Sequence, residues 1–370
     1  MTIAAPFRFQ FAAVLAVGCV AAALGLAGPL MPPAGPISPT KGPEPRTPLD
    51  AFNTPGDATC VFRIDAPGSY YLTDNLITTG GKSAILVAAD NVTLDLNGFT
   101  IEQGDALGFP IGITTNNLSR RGLVVRNGSI NNFKGYGIFG QARESLFEDL
   151  SFHENKSGSL ELFQANDCTA RNVRILTTTG EAGLQLSSNA RVENCIVDGG
   201  NTGIMVGDNS VVTGCVLVNQ PSVGIAIFGG VVEHCSVSST KTTNSFNAGG
   251  INAGGSIIVR DCSIRSIPSA GIFISGDATI ENCLINACAK GIASSQFSSG
   301  RTTITNNDIA DSSTAAFDLP AGKHLVIGNR LRGNATNINA GPSVVYGEFV
   351  TCGPGVLPAG AANPTANLVW

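Results

Sequence analysis

Two short stretches carry side chains able to move protons. Lys134 and Tyr136 stand in the first, and His153, Glu154 and Lys156 in the second. Removing a proton next to a carboxylate needs a cation to neutralise the acid and a base to take the proton, and Lys, Tyr and His supply those roles. Set against this is the plainer alternative of a solvated polar turn, where charged side chains ordinarily sit. The other two histidines are His234 and His324. Cysteines offer no metal site: no pair has C-x2-C spacing, and no histidine accompanies them on a second strand. Neither a metal nor a cofactor is expected.

The elements that must position these residues are repeated. A pattern of apolar, any, Asn, any, any, apolar recurs as Val-Arg-Asn127-Gly-Ser-Ile130, Ala-Arg-Asn172-Val-Arg-Ile175, Val-Glu-Asn194-Cys-Ile-Val197 and Ile-Glu-Asn282-Cys-Leu-Ile285. Asn97, Asn307 and Asn329 hold the same place, with Asp149, Gly214, His234 and Asp261 as substitutes. Intervals between copies run from 20 to 30 residues and centre on about 22. A Gly-Ile or Gly-Leu pair, such as Gly137-Ile138 or Gly183-Leu184, follows most copies about ten residues later. Short β-branched runs with period two and glycines at the bends predict strands with tight corners. One repeat is then one turn of a solenoid whose strands stack in parallel roughly 4.8 Å apart. Leucine-rich repeats lack support because no L-x-x-L-x-L frame or helical half is present. A left-handed hexapeptide helix would demand more uniform turns. The expected fold is all-β: a right-handed parallel β-helix of about a dozen turns.

Asn tolerates left-handed backbone, so it is expected to make the corner, and stacked amides can hydrogen-bond up the solenoid. Five cysteines, Cys195, Cys215, Cys235, Cys262 and Cys283, follow that corner in consecutive turns. Their Cβ vectors would run parallel, which disfavours bridges, so they are expected to be buried thiols stacked as core.

Composition sets the class. Glycine contributes 45 of 370 residues and charged residues only 13%, which excludes disorder and disfavours a helix bundle. A net charge of −5 gives no reason to bind nucleic acid. Residues 9–31 carry no charge and follow Arg8, so residues 1–27 are expected to be a signal peptide or N-terminal anchor. Membrane contact is expected only through this segment, if it is not cleaved. Nine prolines between Gly28 and Gly56 predict an extended spacer over 28–58. Residues 59–350 form the solenoid, and the Pro- and Gly-rich residues 351–370 are expected to be an irregular tail. The protein is expected to be secreted, periplasmic or on the cell surface.

These motifs, with Pro67-Gly-Ser-Tyr-Tyr-Leu72 and Val92-Thr-Leu-Asp-Leu-Asn-Gly-Phe-Thr-Ile101, resemble the pectate-lyase-like superfamily over roughly residues 60–350. The opening is similar to that of secreted bacterial β-helix proteins without one assigned activity, and the resemblance implies that residues 59–90 cap the solenoid. The superfamily includes pectate lyases, polygalacturonases, alginate epimerases, phage tailspikes and structural members, so the resemblance implies fold more than function. The Gly-His-Gly and Arg-x-Lys motifs of polygalacturonases are missing, as is the dense acid cluster of calcium-dependent pectate lyases. Phe152-His153-Glu154 resembles the alginate epimerase motif Asp-Pro-His-Asp/Glu without its leading Asp-Pro.

Loop lengths point to one side. The Asn-to-Gly segment lengthens at 102–110 and at 239–247, six turns apart or roughly 29 Å. A trough between them would hold the Lys134–Lys156 patch, with Phe109 and Phe246 placed to stack on sugars. A third long segment, Gln296 to Arg301, should leave from another corner. The leading expectation is a non-catalytic protein that contacts polysaccharide or another cell-envelope polymer. A polysaccharide lyase or uronate epimerase is the alternative, and a self-associating structural protein the third. A thiol count on unfolded, unreduced protein should find no bridge among the five stacked cysteines; two or more would overturn that assignment.

Overall fold

The computed structural model describes residues 46–116, 118–238, 249–353 and 358–370. The segment 1–45, the insertion 239–247 and Phe246 lie outside the described residues. Each turn supplies three short strands, and their ladders run in parallel from turn to turn. The first face runs from Gly68–Tyr71 to Val345–Tyr346, and the second from Leu76–Thr78 to Asn367–Val369. Thirteen strands, from Cys60–Ile64 to Ile338–Ala340, form the continuous path of the third face. At one strand spacing per turn the solenoid is roughly 58 Å long. The only antiparallel contact among the described residues is a single bridge between Pro55 and Phe62.

The bend between the first and second faces uses left-handed backbone in each turn from Asn97 to Gly328. Asn97, Asn127, Asp149, Asn172, Asn194, Gly214, His234, Asp261 and Asn282 have φ between 54° and 65°. In the next two turns the bend falls on Asn306 and Gly328. Asn307 and Asn329 therefore do not make the corner, as the spacing predicted. They stand one position further on, in register with Cys283, and are fully buried. The amide–amide ladder is found there, while at the exposed corners Asn172 Nδ2 donates to Asp149 Oδ1 at 3.0 Å. Asn307 Nδ2 donates to Asn329 Oδ1 at 3.0 Å, and Asn329 Nδ2 donates to Asn367 Oδ1 at 3.0 Å.

Thiol and amide do one job at this position. Each stacked cysteine places Sγ 3.2–3.4 Å from the carbonyl two residues back, as Cys195 does on Glu193 and Cys262 on Arg260. Asn329 Nδ2 reaches the equivalent carbonyl, that of Ile327, at 3.1 Å. A backbone carbonyl turned inward by the bend thus finds a donor in the core, which such a group requires. Nine cysteines are free and buried among the described residues. A neighbouring thiol in the stack, then burial, pushes Cys215, Cys235 and Cys262 up to about 12, so they remain protonated.

Ile138, Leu160, Leu184, Ile204, Ile225, Ile251, Ile272 and Ile292 form one inward column of the third face, each at most 1% exposed. Full burial of such a side chain is worth about 1.5–3 kcal/mol. The glycine before all of these except Leu160, which follows Ser159, is steric: a Cβ at Gly183 would stand 2.6 Å from Val197 Cγ1. Register has an ionic component that the pattern search missed. Asp95, Arg126, Glu148, Arg171 and Glu193 stack in successive turns just before the bend, and Arg126 pairs with Asp95 at 3.3 Å. Arg260 pairs with Glu233 at 2.7 Å further along. Each exposed pair adds little stability, but a slip of one turn would stack like charges.

Both ends differ from expectation. Residues 46–58 are not spacer: Thr47–Pro48 pairs with Tyr70–Tyr71, and Leu49 is buried. Residues 59–90 are not a separate cap, because Cys60–Ile64 and Ser83–Val87 are the first two strands of the third face. Nor is 351–370 irregular throughout, since Asn367–Val369 pairs with Arg330–Arg332 and Phe349–Thr351. Asn367 is the buried donor that ends the amide ladder on the carbonyls of Val326 and Gly347.

Asn329→Ala strips several buried groups of partners and should lower unfolding free energy by about 2–4 kcal/mol in denaturant titrations. Asn172→Gly keeps the left-handed bend and should change it by about 0.5 kcal/mol or less. Equal losses would contradict the division between corner and inner position.

Candidate functional site

The third face carries an aromatic cluster on its outward side. Tyr136 and Phe139 come from the strand Tyr136–Arg143, and Phe163 from its neighbour Gly158–Phe163. The rings of Tyr136 and Phe139 stack with centroids 4.2 Å apart, and Phe163 meets Phe139 edge-on at 5.6 Å. Strand alternation sends Phe139 out where Ile138 points in. Gly140 lets the strand continue past the preceding turn, since a Cβ there would lie 2.1 Å from Thr115 Oγ1.

Beneath these rings is Glu161, which the sequence did not single out. It pairs in register with Phe139 on one side and Gln185 on the other. The residue is 1% exposed, and its Oε2 has no hydrogen-bond partner. Burial, then the charge of Glu181, raises its pKa to about 7. Burial, then Glu161 and Glu181, also raises the Tyr136 phenol. Gly158 makes the arrangement possible: a Cβ there would stand 2.6 Å from Glu161 Oε2 and 3.0 Å from Tyr136 Cδ1.

The five residues picked out by type are spread across a bend. Tyr136 begins the third face. Lys134 and Lys156 occupy the bend before it in adjacent turns, where the Lys156 amide donates to the Phe133 carbonyl at 2.8 Å. Lys134 is engaged structurally: its amide donates to Gln103 Oε1 at 2.8 Å and its ammonium to the Ala106 carbonyl. Gln103 Nε2 also holds Asp105 and Leu107, so these side chains pin the 102–110 insertion. Phe109 on that insertion is 80% exposed. His153 ends the strand Leu146–His153, which passes from the first face to the second at Asp149, and lies beside Asn131 and Leu176; Glu154 follows in a left-handed bend. No hydrogen bond or ion pair among the described residues joins His153 to Tyr136. His234 is a corner residue with Nε2 3.9 Å from Asp261 Oδ2. His324 is buried with Nε2 2.7 Å from the Ala321 carbonyl.

A second concavity was not legible as a site in the sequence. An open trough of about 1000 Å³ runs along the first face over Val231, Ile258, Thr279, Thr303, Leu325 and Val345, with Arg301 and Lys323 at its edge. Its floor is built of Val, Ile, Leu and Thr and carries no Phe, Tyr or Trp ring.

A family profile described as right handed beta helix region matches residues 83–241 and 229–336, and the chain belongs to that family. Among solved structures it is similar to the A-module of mannuronan C-5 epimerase AlgE4 from Azotobacter vinelandii. That match has 16% identity and a TM-score of 0.54, and covers 75% of this chain and 91% of the other. A tailspike protein mutant of E. coli bacteriophage HK620, in complex with a pentasaccharide, is similar at 10% identity and a TM-score of 0.44, covering 84% of this chain and 67% of the other. These similarities concern the fold. No curated protein matches the sequence.

The raised Glu161 pKa gives a pH test. Between its ordinary value of 4.5 and about 7 the unfolded chain loses a proton that the folded chain keeps. Stability should therefore fall as pH rises through that window, and be unaffected by this group below it. Thermal unfolding of Glu161→Gln should lack that part of the slope. An identical pH profile in variant and wild type would contradict the assignment.

Proposed function

We propose that this is a secreted or envelope-displayed, non-catalytic β-helix that holds a glycan against the outward rings of its third face. The observation that carries the proposal is the cluster of Tyr136, Phe139 and Phe163, three rings placed on the outer side of a sheet. Aromatic rings offer flat apolar area at low entropic cost, which suits the apolar faces of sugar rings. Phe109 rises beside the same bend, because a Cβ at Gly135 would lie 3.1 Å from the Phe109 carbonyl. The charge-free segment 9–31 supports export. The similarity to proteins named as an epimerase and as a tailspike bound to an oligosaccharide is compatible with a glycan partner.

Two features weigh against a polysaccharide lyase or uronate epimerase. A general base should titrate near the working pH, and burial shifts the Tyr136 phenol upward from its ordinary value of 10. The Lys134 ammonium, a candidate for neutralising a uronate, is engaged by the Ala106 carbonyl.

A panel of neutral, acidic and amino polysaccharides, scored for binding and for unsaturated product, tests the proposal. Wild type should bind at least one without turnover, and Phe139→Ala should weaken that binding about tenfold or more. Turnover lost in His153→Ala and Lys156→Ala would replace the proposal with the enzyme.

A further inference from the structure

Acids that are less than a tenth exposed are matched by cations, with one exception among the described residues. Asp95 meets Arg46 at 3.0 Å and Arg126 at 3.3 Å. Glu148 pairs with Arg171, Glu233 with Arg260, and Asp318 with Lys290. Glu161 is more deeply buried than any of these four, yet no ion pair among the described residues reaches it or Glu181. Its Oε2 accepts no hydrogen bond among the described residues. An unsatisfied buried acceptor is costly and calls for an explanation such as an absent ligand.

The surroundings indicate what the ligand must supply. Phe139 and Gln185 flank Glu161 in register, and Tyr136 lies over Gly158, which adds no side chain to the cover. A second acid, Glu181, acts on Glu161 and raises it further. Glu181 and, once it gives up its proton, Glu161 make the local field negative, which favours a cation by Coulomb attraction. Resting on the proposal that these rings bind a glycan, we infer that the bound sugar carries a free amine, with Glu161 and Glu181 receiving its ammonium group. An ammonium has three donors for the two carboxylates. A uronate would bring a third carboxylate to the same place, and an N-acetyl group would remove the positive charge.

Titration calorimetry at pH 6 with glucosamine hexamer, N-acetylglucosamine hexamer and a galacturonate hexamer tests this. The glucosamine hexamer should bind at least tenfold more tightly than its acetylated form, and the galacturonate hexamer most weakly. Glu161→Gln should bring the ratio between amine and acetylated hexamers close to one, and Glu181→Gln should lower it, with thermal unfolding confirming that each variant folds. Phe139→Ala should weaken both hexamers while leaving their ratio in place. Equal or stronger binding of the acetylated or acidic hexamer would overturn the amine assignment and leave the glycan proposal standing. Absence of binding by all three, and by the wider polysaccharide panel, would overturn both.

Discussion

The geometry rests on one local event repeated along the chain. A left-handed residue turns the first face into the second, and from Cys195 onward a cysteine or asparagine that follows it donates to the carbonyl two residues back. Cysteine does this from Cys195 to Cys283, and asparagine does it at Asn329. The bend angle then repeats, so inward columns stay aliphatic and outward columns stay in line.

Function on such a scaffold must come from departures in the outward columns. Along the first face they alternate in charge, from Asp95 through Arg126 and Glu148 to Arg171, and serve register. On the third face the N-terminal turns depart from that economy. There the column reads Phe139, Glu161, Gln185, with an acid enclosed by rings and lacking a countercharge. Neighbouring turns give the site its rigidity, while Tyr136, only partly buried, supplies a cover made of side chain instead of backbone.

The solenoid was legible in the sequence because each turn repeats a short local signal: apolar, any, Asn, then glycine about ten residues later. The same signal misled at Asn307 and Asn329, where asparagine occupies the inner position and the bend uses Asn306 and Gly328. One residue type can serve either the left-handed bend or the buried donor, and composition alone does not separate them. Lys134 looked like a catalytic cation because its partner, the Ala106 carbonyl, belongs to an insertion 28 residues earlier. Glu161 was hidden for a related reason. Its burial is set by Tyr136, Phe139 and Gly158, which only the parallel register brings around it. The final strand, Asn367–Val369, was masked by the proline- and glycine-rich segment before it.

The most direct test of the account is a crystal structure of the protein with a bound oligosaccharide from the panel. The account predicts sugar density over Tyr136, Phe139 and Phe163, with a polar group of the sugar within hydrogen-bond distance of Glu161. Sugar lying instead in the aliphatic trough between Val231 and Val345, with the ring cluster bare, would contradict it.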